Sequence, residues 1–144
     1  MQMIHKFVAG ALALGLTCAA FAQDEMPPTQ TYGSVSYVTG GIGLDESGAI
    51  KAAEKGFTLS LLFAQTKRGE YLSDVKVSIK DNADKIVLET VSDGPMLLAK
   101  LPAGTYKISA EHEGTTLVKT VRVDSKRVAQ TAFVWQPSAK ATIE

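Results

Sequence analysis

The sequence predicts a mainly β fold, a sandwich of seven antiparallel strands preceded by one short helix. Three observations lead there. From Phe57 onward, apolar residues recur at every second position in run after run. The runs are separated by turn-forming clusters such as Asp81-Asn82-Ala83-Asp84, Ser92-Asp93-Gly94-Pro95 and Pro102-Ala103-Gly104. Their spacing, roughly 8 to 12 residues, is that of two packed sheets.

Residues 1–22 read as an export signal. Lys6 supplies the positive end, the run from Phe7 to Leu16 a short apolar core, and Ala20-Phe21-Ala22 the small residues expected before cleavage after Ala22. A spanning helix needs about 20 apolar residues, and this run stops short of that before Gln23-Asp24-Glu25. The chain is therefore expected in the periplasm, with no membrane span once the signal is removed. Lipidation of Cys18 is the alternative for this segment, but Leu16 and Thr17 stand where such a site wants small residues.

Residues 23–31 lack an apolar period, hold Pro27-Pro28, and read as a flexible leader. Residues 32–56 read as a short strand carrying Val35 and Tyr37, a glycine turn at Gly40-Gly41-Ile42-Gly43, and a helix over 45–55. Asp45 and Glu46 suit the helix start and Lys55-Gly56 its end, while Gly48 weakens it. Leu44, Ile50 and Ala53 are expected to pack that helix onto a sheet.

Residues 57–135 form the sandwich. Phe57, Leu59, Leu61 and Phe63 alternate in its first strand; Val75, Val77 and Ile79 alternate with Lys76, Ser78 and Lys80 in its second. Clean alternation predicts one buried and one wet face. Strands at 85–91, 96–101, 105–112, 117–123 and 128–135 follow, one hairpin turning at Glu113-Gly114. Phe57, Phe63, Tyr106, Phe133 and Trp135 are expected inside. Residues 136–144 read as a flexible tail.

Composition excludes several functions. After the signal, which holds Lys6 and no acid, the charges nearly cancel, favouring neither nucleic acid nor an anionic membrane surface. The only cysteine, Cys18, lies in the signal, so no disulfide is expected in the exported domain and its core must hold it.

The segments Val75-Lys76-Val77-Ser78-Ile79, Ser92-Asp93-Gly94-Pro95 and Leu101-Pro102-Ala103-Gly104-Thr105-Tyr106 resemble the carboxypeptidase regulatory-like domains of prealbumin-like fold. In those domains an Asp-Gly turn precedes a strand and a Leu-Pro-x-Gly-x-Tyr segment leads into the next. With Gly40-Gly41-Ile42-Gly43 and the helix in front, the chain also resembles small exported proteobacterial proteins of that fold. The resemblance implies a non-catalytic accessory or binding module, since the zinc-bearing catalytic domain of the carboxypeptidases has no counterpart here.

The side chains agree with that implication. A zinc hydrolase gathers several His, Asp or Glu ligands, yet His112 is the only histidine after the signal. Flanked by Glu111 and Glu113, it reads as an exposed strand-end residue. Asp81-Asn82-Ala83-Asp84 resembles a calcium loop but lacks the following Gly and distant Glu, so an Asx turn is expected. Gly40-Gly41-Ile42-Gly43 has no Lys-Ser/Thr pair to close a phosphate loop. No catalytic, metal or cofactor residue is assigned, and no cofactor is expected. The expected partners are another envelope protein or a glycan, met through an exposed apolar patch near the Gly40-Gly43 turn or a sheet edge. The rival reading is a carboxylate-based hydrolase using Asp45 or Glu46 beside Asp93. Neither the contacting loops nor the oligomeric state is legible.

Overall fold

A computed structural model of the chain describes residues 26–66 and 70–136. The segment read as an export signal, residues 67–69 and the tail after Gln136 lie outside the described residues. Nine strands form among them, not seven: β1 (Gln30–Tyr32), β2 (Val35–Gly40), β3 (Leu59–Gln65), β4 (Val75–Lys80), β5 (Ile86–Ser92), β6 (Met96–Lys100), β7 (Gly104–His112), β8 (Thr115–Val123) and β9 (Ala129–Trp135). The seven after the helix match the alternating runs. Of the two in front, β2 is the expected short strand carrying Val35 and Tyr37, here paired into the sandwich, and β1 is added, starting inside the segment read as leader.

Two sheets face each other, one ordered β1-β2-β6-β3-β9 and the other β5-β4-β7-β8. Their facing sides bury Leu59, Leu61, Phe63, Leu97 and Phe133 from the first sheet against Val75, Val77, Ile79, Leu88 and Ile108 from the second. The pattern follows from strand geometry, because every second side chain points the same way.

One pairing departs from the all-antiparallel expectation. β9 runs parallel to β3, from Leu59 opposite Ala129 to Gln65 opposite Trp135. Alternation decides which face a side chain takes but not which way its neighbour runs. After β8 the chain leaves the second sheet and crosses to the first sheet's edge.

The helix α1 (Leu44–Ala53) continues into a 3-10 turn over Glu54–Gly56. It lies on the outer side of the first sheet, where Ile50 joins Val38 and Leu98 in a second small core bordered by Met26, Ala53, Phe57 and Met96. This side of the sheet is therefore not simply wet. Phe57, expected in the main core, serves this smaller one. Leu44, expected to help dock the helix, is 88% exposed. No helix among the described residues is long and apolar enough to cross a membrane.

The turns explain two of the quoted motifs. In Leu101-Pro102-Ala103-Gly104-Thr105-Tyr106, the Tyr106 hydroxyl donates to the Pro102 carbonyl at 2.7 Å, pinning the corner that opens β7. Burial, and then the nearby Asp81 charge, push the Tyr106 hydroxyl above its ordinary pKa of 10.0. A raised acid pKa supports the fold below the unfolded value and loses that support as pH rises through the folded one. Tyr106→Phe is expected to cost about 1 kcal/mol at neutral pH through the lost bond. Denaturant titrations should also show a stability decline above pH 10 that is shallower in the variant. Equal slopes in the two proteins count against this account.

At the β4–β5 hairpin, Asp81 Oδ1 accepts from the amides of Ala83 at 2.8 Å and Lys85 at 3.0 Å, forming an Asx turn. The Lys85 amide first, and the Ala83 amide second, hold the carboxyl below its ordinary 3.8. Its support is present above the unfolded value and lost as pH falls through the folded one. Amide proton shifts of Ala83 and Lys85 are expected to titrate together with a midpoint below 3.8. A midpoint at or above that value contradicts the bonding. The β7–β8 hairpin turns through Glu113 and Gly114, both at positive φ (48° and 84°), as a two-residue type I′ loop requires.

Candidate functional site

The first sheet is wider than the helix lying on it. α1 sits against β2 and β6, and beyond it a groove of about 1180 Å³ opens over β3 and β9. Its floor includes Ser60 and Leu62 from β3 and Ala132 from β9; its walls are Leu44, Gly48 and Lys51 of α1 on one side and Tyr71 at one end. These floor residues lie on the outer face because Leu59, Leu61, Phe63 and Phe133 take the inner one.

The rim is apolar and exposed. Leu44 is 88% and Tyr71 67% accessible, and Ile42, in the turn before α1, is 63% accessible. Ile42 lies within the glycine turn and Leu44 follows it, the neighbourhood in which a contact patch is expected. The polar end is organised by Glu54. Its Oε2 accepts from the Ser60 hydroxyl at 2.8 Å, and its Oε1 from the Gln130 side-chain amide at 3.2 Å.

The turn leading into α1 is held by the helix. Glu46 Oε1 accepts from the amides of Gly41 at 2.8 Å and Ile42 at 3.1 Å. A carboxylate in a first helical turn also suits the positive end of the helix dipole. Asp93 is occupied differently: its Oδ2 accepts from the Thr39 hydroxyl, whose oxygen accepts from the Asp93 amide, both at 3.2 Å. Of the carboxylates considered for hydrolysis, Glu46 and Asp93 are thus each engaged with the stretch from Thr39 to Ile42. Among the described residues no group of three or more His, Cys, Asp or Glu is placed to hold a metal ion.

No family model matches the chain. No curated protein matches it either.

His112 is not the exposed residue that its acidic neighbours imply. Its side chain is only 15% accessible, its ring meets that of Trp135 edge-on at 5.8 Å, and Nε2 stands 3.8 Å from Glu113. Trp135 itself is buried and donates Nε1–H to the Thr115 carbonyl at 3.0 Å. Tyr37 is buried as well. The groove residues Glu54, Ser60, Tyr71 and Gln130 carried no motif. The one available signal was Ser60, a hydroxyl within an otherwise apolar stretch of β3.

Proposed function

We propose that the chain is an exported, non-catalytic binding or accessory module of carboxypeptidase regulatory-like, prealbumin-like fold, acting in the periplasm. Its contact surface is the groove beside α1. The observation that carries this reading is the pair of exposed apolar side chains, Leu44 and Tyr71, at the edge of a concave, partly polar floor. Exposed apolar residues clustered at a concavity mark contact sites, whereas singly scattered ones do not.

Further support comes from the signal-like segment ending at Ala22 and from the double-sheet body with the Tyr106 corner in its Leu-Pro-x-Gly-x-Tyr segment. The lone histidine after the signal packs on Trp135. Glycan binding is the second reading, favoured by the exposed ring of Tyr71 at the groove's end.

Photo-reactive residues placed singly at Leu44, Tyr71 and Lys107 in bacterial cells producing the full chain test the reading. Lys107 is exposed on the outer face of the second sheet. Protein adducts are expected from the first two sites and not the third, from a chain recovered in the periplasmic fraction and starting at Gln23. Adducts from none or from all three, or an unprocessed cytoplasmic chain, contradict it. Retention on envelope glycans that Tyr71→Ala abolishes selects the second reading.

A further inference from the structure

We propose that Lys119 keeps the open side of the sandwich from pairing with a second copy of this chain, β8 against β8, a role independent of the groove beside α1. Four strands end the two sheets: β1 and β9 the first, β5 and β8 the second. An edge strand offers its unpaired backbone N–H and C=O groups to any other chain. β1 has only three residues, and the pairing of β5 is interrupted by a register shift at Ile79/Lys80 of β4. β8 has neither protection. Its nine residues include no proline and pair with β7 without a break, from Gly104 opposite Val123 to His112 opposite Thr115.

The hairpin turn fixes which groups of β8 point outward. The residues at the ends of its two-residue loop, His112 and Thr115, form a hydrogen-bonded pair. Bonded pairs then alternate along the ladder, so Leu117, Lys119, Val121 and Val123 turn their backbone groups to β7. Thr116, Val118, Thr120 and Arg122 turn theirs away, to a side where no strand lies among the described residues.

Two β8 strands laid antiparallel about a twofold axis overlap along their whole length only with Lys119 opposite Lys119 of the other copy. In that register outward residues meet outward residues, Val118 with Thr120 and Thr116 with Arg122, as new ladder bonds require. On the inner face Leu117 meets Val121, both already packed against the core. These pairs are all compatible with association. The pair on the axis is not. Lys119 falls in a non-hydrogen-bonded pair, where Cα atoms stand about 4.5 Å apart and side chains come closest. Like charges directly opposite one another resist pairing.

Lys119 is also fixed at this side of the sandwich. It is the one charged residue on the inner face of β8, among Leu117, Val121 and Val123 of the core. Its Nζ donates to the Ala132 carbonyl of β9 at 2.8 Å and lies 5.6 Å from the centroid of the Phe133 ring. The Ala129 amide bonds to Thr58 beside β3, so alternation turns the backbone groups of Ala132 to the free edge of β9. One side chain thus stands at the edges of both sheets. It remains exposed, and a strand added to either edge must take water from its ammonium group.

Sedimentation of the full chain up to about 100 µM, the range where a micromolar dimer is populated, reads the outcome. The unaltered chain and Lys119→Arg are expected to share one mass, and Lys119→Val to double it. Val118→Pro removes an outward amide and leaves the β7 ladder whole, so adding it to Lys119→Val is expected to restore the original mass. Circular dichroism should be the same throughout, since both positions are exposed. In a Cys18→Ser background, Lys119→Cys is expected to form a disulfide with its own copy under mild oxidation, because the paired Cα atoms fall within disulfide reach. Lys107→Cys is not. A Lys119→Val chain with unchanged mass, a doubled mass that Val118→Pro leaves intact, or an unaltered assembly that Val118→Pro separates overturns the proposal. Should Val118→Pro disturb the fold, the disulfide decides: its formation at Lys119→Cys alone supports the barrier, and its absence overturns it.

Discussion

Replacing Phe63 by alanine is expected to lower stability by about 4 kcal/mol, the usual cost of deleting a fully buried aromatic ring. Phe63 has no accessible surface and sits where the first sheet's two parallel strands face the second sheet. Its ring centroid lies 6.0 Å from that of Phe133 and 6.3 Å from that of Trp135, both tilted. Such aromatic contacts add to the burial term. The ring's absence therefore leaves a cavity walled by groups that are themselves fixed: Phe133 by its β9 position, Trp135 by its bond to the Thr115 carbonyl. Collapse into the space is restricted, which places the cost toward the upper part of the range. With total stabilities of about 5 to 15 kcal/mol for domains of this kind, that is a large fraction. Chemical denaturation of the variant checks it, and a loss under about 1.5 kcal/mol means that the aromatic cluster repacks.

Gly94→Ala is expected to cost about 3 kcal/mol, by overpacking instead of cavity formation. A Cβ at Gly94 falls 2.5 Å from the Gly40 carbonyl oxygen and 2.6 Å from its carbon. Both are backbone atoms of β2, so no side-chain rotation relieves the clash. The surroundings are also tied: Ser92 donates to the Gly94 carbonyl at 2.7 Å, and Thr39 and Asp93 bond reciprocally beside it. Relief must come from separating the β5–β6 turn from β2, which breaks those bonds. Thermal unfolding should show a midpoint lowered by on the order of 10 °C. A midpoint unchanged within about 2 °C indicates that the turn slides without loss.

The Asp-Gly turn quoted for the family resemblance thus has a physical role in this chain. Its glycine lets two backbones touch, and its aspartate ties the same two segments together through Thr39. Neither role needs a ligand. The candidate site lies elsewhere on that sheet, over β3 and β9.

How much of this could be read from the residues varies with the range of the interaction. Val75, Val77 and Ile79 declared their face through alternation alone, and Asp81 and Glu113-Gly114 declared their turns, because those choices are settled within a few residues. The glycine turn marked the neighbourhood of the exposed patch. Leu44 was misjudged because an apolar residue at a helix start is ordinarily docked, and only the placement of α1 over β2 and β6 turns it outward. The His112 reading failed for a related reason. Its acidic neighbours in sequence are Glu111 and Glu113, but its neighbour in space is Trp135, from a strand of the other sheet.

By itself the sequence determined that this is a β-rich body with seven strands after one short helix, where its tight turns lie, and which face the alternating residues of strands such as β4 turn inward. Those follow from local sterics and a two-residue period. Tertiary structure alone decided that β9 runs parallel to β3, that the chain before the helix completes the first sheet, and that the helix covers only part of that sheet's outer side. Strand neighbours and helix placement depend on contacts between residues far apart in the chain, to which a local period is blind, and the groove exists only as their consequence.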